Sequence, residues 1–460
     1  MSVVVDHHEH PEARDLVGDV VAGLAELRAE PGELSGAPED RMAFAFEPLR
    51  VRVGGRGKGG SSIEAGEIRH EVDRRTRPVT ASTVRRVQIS DVMAAHGHEQ
   101  VVFIAEPTVG IRAVIAVHST ALGPSLGGIR FWNYVDEGAA IADALRLSEA
   151  MSLKAAAAGL DQGGGKAVVQ WDDPSRPRTP DQLRVLGRAI HELGGRYIAA
   201  EDVGATTADM DGIAAVTPWV TGVSESLGGS GDPSPVTARG VLAGMRAAAR
   251  ERWNTDSLAG RHVVIQGAGK VGSALARLLV VDGARVSVGD VDPRRVRELV
   301  DALGIVGLEA DGVVGAECDV FAPCALGDVV SESTVESLHC EIVCGGANNQ
   351  LASDAMDDAL AARGILYAPD FVVNAGGILN IAEEFVGYSH VRALAATARI
   401  EATTARVFEL GRKWKTAPGQ AAVRMGRERI EREPFGSGRW EPGDPAAWTN
   451  GEPLTRLRPS

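Results

Sequence analysis

The segment HVVIQGAGKVGSALARLLVVDGARVSVGDVD, beginning at His262, constrains the fold more than any other part of the chain. An apolar run, His262 to Gln266, leads into Gly267-Ala268-Gly269-Lys270-Val271-Gly272, and an Ala/Leu/Val stretch with helical spacing follows. A second β-branched run, Arg285 to Gly289, then ends at Asp290. A strand feeding a helix through three such glycines admits a tight turn, a close approach of backbone to a pyrophosphate, and close packing of helix on strand. The helix N-terminus adds amide donors and the positive end of a dipole. Asp290 stands 18 residues after Gly272, near the separation of about 20 at which a carboxylate receives ribose hydroxyls. The expected element is a dinucleotide-binding unit built on Gly267, Gly269, Lys270, Val271, Gly272 and Asp290. An acid at 290 repels a 2′-phosphate, which favours NAD over NADP, while Arg294 and Arg295 leave NADP open.

A chain of 460 residues exceeds one ordinary core and is expected to hold two domains plus irregular tails. No apolar run reaches the ~18 residues of a membrane span, and the N-terminus MSVVVDHHEHPEARD has neither the basic nor the apolar region of a secretory signal. The expected location is the cytoplasm. A net charge of −14 without basic stripes argues against nucleic acid or an anionic membrane as partner and for a small molecule. Cys318, Cys324, Cys340 and Cys344 crowd into apolar, strand-like contexts (CDVFAPC, CEIVC), which suits core thiols better than a disulfide framework or a zinc site. No metal is expected.

Residues 1 to 86 read as a poorly ordered extension, rich in charge, Gly and Pro, with a short helix near Ala22 to Ala29 and the cluster HHEH at 7 to 10 as a solvated terminus. From Val87 the texture changes to strand-like runs, VVFIAE and IRAVIAVH. A helix is expected from an Asp136 cap to Gly159, and another from Thr179-Pro180-Asp181-Gln182, with Leu183, Leu186, Ile190 and Leu193 on its apolar face. Between them lies the short strand AVVQW. Alternating strands and helices indicate an α/β architecture.

Within MSLKAAAAGLDQGGGKAVV, Lys154 and Lys166 are the only basic residues in a segment suited to burial. Helical spacing puts Lys154 on one face with Leu147, Met151 and Ala158, and Lys166 follows three glycines whose bare backbone leaves room for a ligand. Both ammonium groups could therefore end in one cleft, the alternative being a snorkelling Lys154 and a surface Lys166. The strand-like run RYIAA ends at Glu201-Asp202, 36 residues after Lys166. A desolvated lysine flanked by another cation serves as a base near neutral pH, and a neighbouring carboxylate moves protons on and off an amine. Lys154, Lys166 and Asp202 would suit a substrate carrying both a carboxylate and an amino group. Asp209 and Asp211 read as helix-start residues.

The strings GPSLGGIRFW, MSLKAAAAGLDQGGGKAVV, AEDVG, PSPVTARG, the glycine turn, CGGANNQL and YAPDFVVNAGG, in this order, resemble the glutamate/leucine/phenylalanine/valine dehydrogenase superfamily. Within it the leucine and valine branch is the nearer match, over roughly Val87 to Met425. The resemblance implies a substrate domain with a mixed sheet (87–235 plus about 385–425), a Rossmann-type NAD-binding domain (236–384), a cleft between them, and a tail from 426. It also implies a homo-oligomer. Lys154 matches the lysine that grips the α-carboxylate, Lys166 the catalytic lysine that activates water, and Asp202 the aspartate that exchanges protons with the amino group. Asn348 matches the asparagine near substrate and nicotinamide, Asn374 that of the NAGG turn, and Thr237 the threonine near the nicotinamide amide. Leu126, Gly127, Ala200, Ile378 and Ile381 fall at the substrate pocket. The apolar residues among them imply NAD-dependent, reversible oxidative deamination of leucine, valine or isoleucine, with a phenylalanine-type enzyme as an alternative.

Two positions depart from the resemblance, Leu153 and Ala155, where close relatives usually carry an aromatic and an asparagine. With the extension, they support a second alternative: a non-catalytic sensor of amino acid or NADH on the same fold.

Overall fold

The computed structural model describes residues 88–432 apart from 174–175 and 326. The expected extension, its HHEH cluster, the helix near residues 22–29 and residues 433–460 lie outside the described residues. The described residues from Ser90 onward cluster as one unit, and among them are two sheets.

A short helix, α1 (Ile89–His96), precedes the first sheet, which contains β1 (Gln100–Glu106), β2 (Ile111–Ser119), β3 (Ser125–Trp132), β4 (Gly163–Gln170) and β5 (Tyr197–Glu201). Its order is β1-β2-β4-β3-β5. The β2 strand runs antiparallel to β1 and β4, and β3 runs parallel to β4 and β5, so the sheet is mixed. The α2 helix (Glu137–Ala157) crosses from β3 to β4 and α3 (Pro180–Glu192) from β4 to β5. Both begin as the sequence indicates: Asp136 accepts from the Ala139 N–H, and Thr179 and Gln182 form a reciprocal capping box.

Beyond α4 (Thr207–Ala214) and α5 (Ser234–Trp253), the second sheet starts at β6 (His262–Gln266), which runs through the glycine turn into α6 (Lys270–Val281). Then come β7 (Arg285–Gly289), α7 (Pro293–Leu303), β8 (Val306–Leu308), β9 (Val320–Pro323), β10 (Ile342–Val343), α8 (Ala355–Ala362) and β11 (Leu366–Tyr367). Every pairing is parallel, in the order β11-β10-β9-β6-β7-β8. The chain builds outward from β6 to β8, then returns to β9 on the opposite side. The order thus reverses at β6, the strand that carries the glycine turn, which is where doubly wound sheets bind ligands. Alternation fills both faces: Val263 and Ile265 pack with Val241, Met245 and Leu275, while Val264 packs with Phe321 and Val343.

The first sheet buries one face, through Ile129, Phe131, Ala167 and Val169, against Leu183, Leu186 and Ile190 of α3. Its other face, with Leu126, Ile198 and Ala200, meets Ala155 of α2, Ile378 of α10 (Gly376–Ala382) and Ile400 of α11 (His390–Trp414), while α9 (Asp370–Val373) and α12 (Pro418–Arg432) pack through Val372, Ala421 and Ala422 around Ala157 at the end of α2.

Two expectations need correction. The three glycines before AVVQW lie inside β4, and added Cβ atoms would sit 1.7 Å from the Ser119 carbonyl oxygen, 2.1 Å from the Ser152 nitrogen and 2.6 Å from the Tyr197 ring. They permit strand and helix to close on each other and leave no ligand space. The last helix also runs to Arg432, past the expected start of the tail at 426. There Arg429 donates to the Ala156 carbonyl in the last turn of α2 and to the Leu160 carbonyl just beyond it, tying the two helices together.

The cysteines pack as core thiols: Cys344 and Cys324 in one core of the second sheet, Cys318 and Cys340 against the other. Burial pushes the thiols of Cys318, Cys324 and Cys340 up to about 12. No helix among the described residues is long and apolar enough to cross a membrane.

Candidate active site

Strand alternation assembles the centre. Arg130 on β3, Lys166 on β4 and Asp202 just after β5 share the face turned toward α2. The Lys166 Nζ donates to Asp202 Oδ2 at 2.7 Å, and Lys166 is only 4% exposed. Gly128 makes this possible, because a Cβ there would lie 2.4 Å from the Asp202 Cβ. Lys154, in the last turn of α2, reaches the same cleft and donates to Asn348 Oδ1 at 3.3 Å. The cleft has a volume of about 1090 Å³ and is lined by Lys154, Lys166, Asp202, Asn348, Gly127, Ala200, Ile378 and Ile381 together with Met151 and Arg130. The expected meeting of two ammonium groups and a carboxylate is observed.

The charges act on one another differently from the sequence expectation. Burial pulls Lys154 down to about 8, with Asp370 opposing and the Lys166 charge adding. Burial also lowers Lys166, but there the opposing charge is Asp202 and the like charge is Arg130, not Lys154. For Asp202, burial acts to raise the carboxyl, and Lys166 and Arg130 outweigh it, holding it at about 2. Depression by a like charge thus reaches Lys154 from Lys166, and reaches Lys166 from Arg130.

Sequence reasoning did not single out Arg130. Its Nε donates to Asp202 at 2.9 Å and its Nη1 to Asp143 of α2 at 3.0 Å. The available signal was an arginine among apolar residues on a strand one face of which is core. Asp370 was missed as well; it lines the cleft beside Lys154 and accepts the Gln350 and Phe371 N–H groups.

Leu126 and Asn374 lie behind the cleft rather than along it. Leu126 is fully buried and packs behind Ala200 and Ile378. Asn374 is buried and donates from Nδ2 to Asn348 Oδ1 at 2.9 Å, so that oxygen receives both Asn374 and Lys154. Gly127 admits a close strand approach, since a Cβ would fall 1.7 Å from the Gly165 carbonyl oxygen. Of the two departures, Leu153 lies against Gly426 of α12 and Ala155 is fully buried in the cluster behind the cleft.

In the glycine turn each glycine has its own geometric reason. Gly267 adopts φ +105°, and a Cβ would stand 2.9 Å from the Ala325 nitrogen. At Gly272 a Cβ would meet the Gly267 carbonyl oxygen at 1.9 Å, whereas at Gly269 it would meet nothing within 4 Å. Asp290 Oδ2 accepts the Ala268 N–H at 2.7 Å, and Oδ1 accepts the Asp292 N–H at 2.8 Å. Lys270 is exposed, 3.6 Å from Asp232, and Val271 packs on the core of the second sheet. Arg294 and Arg295 both turn to Asp292, at 2.9 and 3.8 Å. Thr237 of α5 donates to the Pro233 carbonyl at 3.0 Å and lies against Gly377. The turn residues, Asp290 and Thr237 are not part of the cleft lining, although Pro233 and Gly377 beside Thr237 are.

A family model described as Glu/Leu/Phe/Val dehydrogenase, dimerisation domain, matches residues 98–218. A second, described as Glutamate/Leucine/Phenylalanine/Valine dehydrogenase, matches residues 228–293 and 291–409. Leucine dehydrogenase from Bacillus cereus is 45% identical over 344 residues, which are 75% of this chain and 94% of that one. Valine dehydrogenase from Streptomyces albus is 46% identical over 337 residues, covering 73% and 92%. Among solved structures, L-tryptophan dehydrogenase from Nostoc punctiforme superposes with a TM-score of 0.66 at 37% identity, covering 75% of this chain and 99% of that one. With both family models matched in order along one chain, the protein belongs to the glutamate/leucine/phenylalanine/valine dehydrogenase family of amino acid oxidoreductases.

Proposed function

We propose that the protein catalyses the reversible oxidative deamination of an aliphatic L-amino acid, leucine, valine or isoleucine, to the 2-oxo acid and ammonium with NAD. The observation that carries this reading is the convergence of Lys154, Lys166 and Asp202 in one cleft whose remaining wall includes Met151, Ala200, Ile378 and Ile381. Lys154 binds the substrate α-carboxylate, with Asn348 beside it and Asn374 bracing Asn348. Asp202, ionised by its two cationic neighbours, holds the amino group and exchanges its protons. Lys166, made neutral more readily by burial, takes a proton from the water that replaces the amino group. A bound nicotinamide dinucleotide supplies the hydride acceptor. Substrate and water together give oxo acid, ammonium, a hydride and a proton, so atoms and charge balance.

The turn suits that dinucleotide: Gly269 leaves open space where a pyrophosphate approaches, and Asp290 stands ready at the end of β7 for ribose hydroxyls. Pairing of Arg294 and Arg295 with Asp292 supports NAD over NADP. The wall residues Met151, Ala200, Ile378 and Ile381 are apolar and offer a glutamate side chain no charge of their own. Such a wall discriminates by only ~1–3 kcal/mol per methylene, so several aliphatic substrates are accepted. We further infer a substrate domain over residues 87–235 with 385–432, a dinucleotide domain over 236–384, and a cytoplasmic homo-oligomer. The description of the family model over residues 98–218 as a dimerisation domain supports the oligomer.

The test is absorbance of the reduced cofactor with purified protein and a panel of L-amino acids at alkaline pH, with NAD and again with NADP. Growth with leucine or valine and NAD, and none with glutamate, is expected. Turnover confined to glutamate, or to NADP, contradicts the reading.

A further inference from the structure

Arg130 is held more tightly than charge balance requires. Its side chain is 18% exposed and is gripped at both ends, by Asp202 through Nε and by Asp143 through Nη1. Asp143 is itself fixed by the Tyr134 hydroxyl at 2.7 Å and by Arg146 at 2.8 Å. Arg130 and Lys166 both donate to the same oxygen of Asp202, Oδ2. Oδ1 takes no hydrogen bond among the described residues, and Asp202 lines the cleft. A planar guanidinium held between two carboxylates from separate elements fixes orientation as well as charge.

We propose that Arg130 is a positioning residue for the reaction: with Lys166 it occupies one oxygen of Asp202, which turns the other to the substrate amino group, and its charge keeps Lys166 from settling as the plain ionic partner of Asp202. The inference rests on the roles proposed above for Lys166 and Asp202. It goes beyond them in assigning what sets their geometry and proton affinity.

The charges around Lys166 give the inference a sign. Asp202 contacts it directly, Arg130 faces it from β3, and Asp143 from α2, while its in-register neighbour on β2 is Ala116. Lys154 and Asp370 share the cleft. Removing Arg130 takes away a like charge and leaves both acids, so Lys166 holds its proton to higher pH. Removing the charge of Asp143 acts in the opposite direction.

The experiment is kcat/KM for oxidative deamination against pH in the full-length wild type, Arg130→Met, Arg130→Lys and Asp143→Asn, with the dinucleotide Kd and thermal melting of each. In Arg130→Met the acidic limb moves toward alkaline pH by about one unit or more, kcat falls about 10-fold or more, and the dinucleotide Kd is unchanged. Arg130→Lys restores the limb and only part of kcat, because the fork is lost. Asp143→Asn moves the limb toward acid. A folded Arg130→Met variant whose limb stays in place overturns the proposal, whatever its kcat. If that variant does not fold, Asp143→Asn decides: an acidward shift supports the proposal and an unmoved limb overturns it. Loss of turnover in Lys166→Ala alongside an unmoved limb in Arg130→Met defeats this inference alone, while an active Lys166→Ala defeats the reading beneath it.

Discussion

Lys166 Nζ and Asp202 Oδ2 lie 2.7 Å apart although β3 separates their strands in the sheet. They meet because Gly128, on the intervening strand, has no side chain: a Cβ there would overlap the Asp202 Cβ at 2.4 Å. Gly128→Ala is therefore expected to displace Asp202 and lower kcat about 100-fold, since misplacement of about 1 Å has that effect. Steady-state kinetics beside a melting curve checks it; a wild-type kcat would show that the ion pair is not needed at this distance.

Lys154 gives a pH dependence. Burial, with help from Lys166, puts it at about 8 in the free protein, so it is charged below that pH and loses its charge above it. The affinity for the substrate carboxylate, read in kcat/KM, should fall as pH rises through about 8. Lys154→Ala removes a hydrogen bond to a charged group, worth about 1.5–3 kcal/mol, and should lower kcat/KM roughly 10- to 100-fold, mostly through KM.

Glycines of the turn separate binding from stability. Gly269→Ala meets open space and should leave the melting temperature unchanged while weakening dinucleotide binding. Gly272→Ala drives a Cβ to 1.9 Å from the Gly267 carbonyl oxygen and should cost about 1–3 kcal/mol of stability. Denaturant unfolding and dinucleotide titration of the two variants separate the effects; equal losses of stability would contradict the packing role.

Asp357 of α8 accepts the Gln420 N–H at the start of α12, yet burial raises its carboxyl to about 6. The native state then binds more protons than the unfolded chain between about 4 and 6, so this group's contribution to stability falls as pH rises through that window and stays reduced above it. Asp357→Asn should flatten that part of the stability profile and, at pH 7.5, leave the protein as stable as wild type or more so. A variant less stable at pH 7.5 and equally pH-dependent would show that the carboxylate is a favourable cap.

Local signals made much of this legible. Asp136, Thr179 and the three turn glycines act within a few residues, where capping and close approach are decided by chain geometry. Lys154 was readable from helical spacing, and Asp202 from the end of a strand. Arg130 was not, because its partners Asp143 and Asp202 come from a helix and another strand, and only sheet order brings them together. Gly163 to Gly165 misled for a related reason: bare backbone looks alike whether it faces a ligand or, as here, another element. The placement of Leu126 behind Ala200 depends on packing by α2 and α10, which no window around residue 126 contains.

We propose Lys166 as the base in amino acid oxidation by this protein. The measurement that meets this proposal most directly is turnover of leucine with NAD by Lys166→Ala, beside NADH binding followed by fluorescence. Turnover is expected to fall at least about 100-fold, the size of general-base assistance, with NADH affinity unchanged because the glycine turn lies on the other sheet. Turnover at the wild-type rate in a variant that still binds NADH would contradict it.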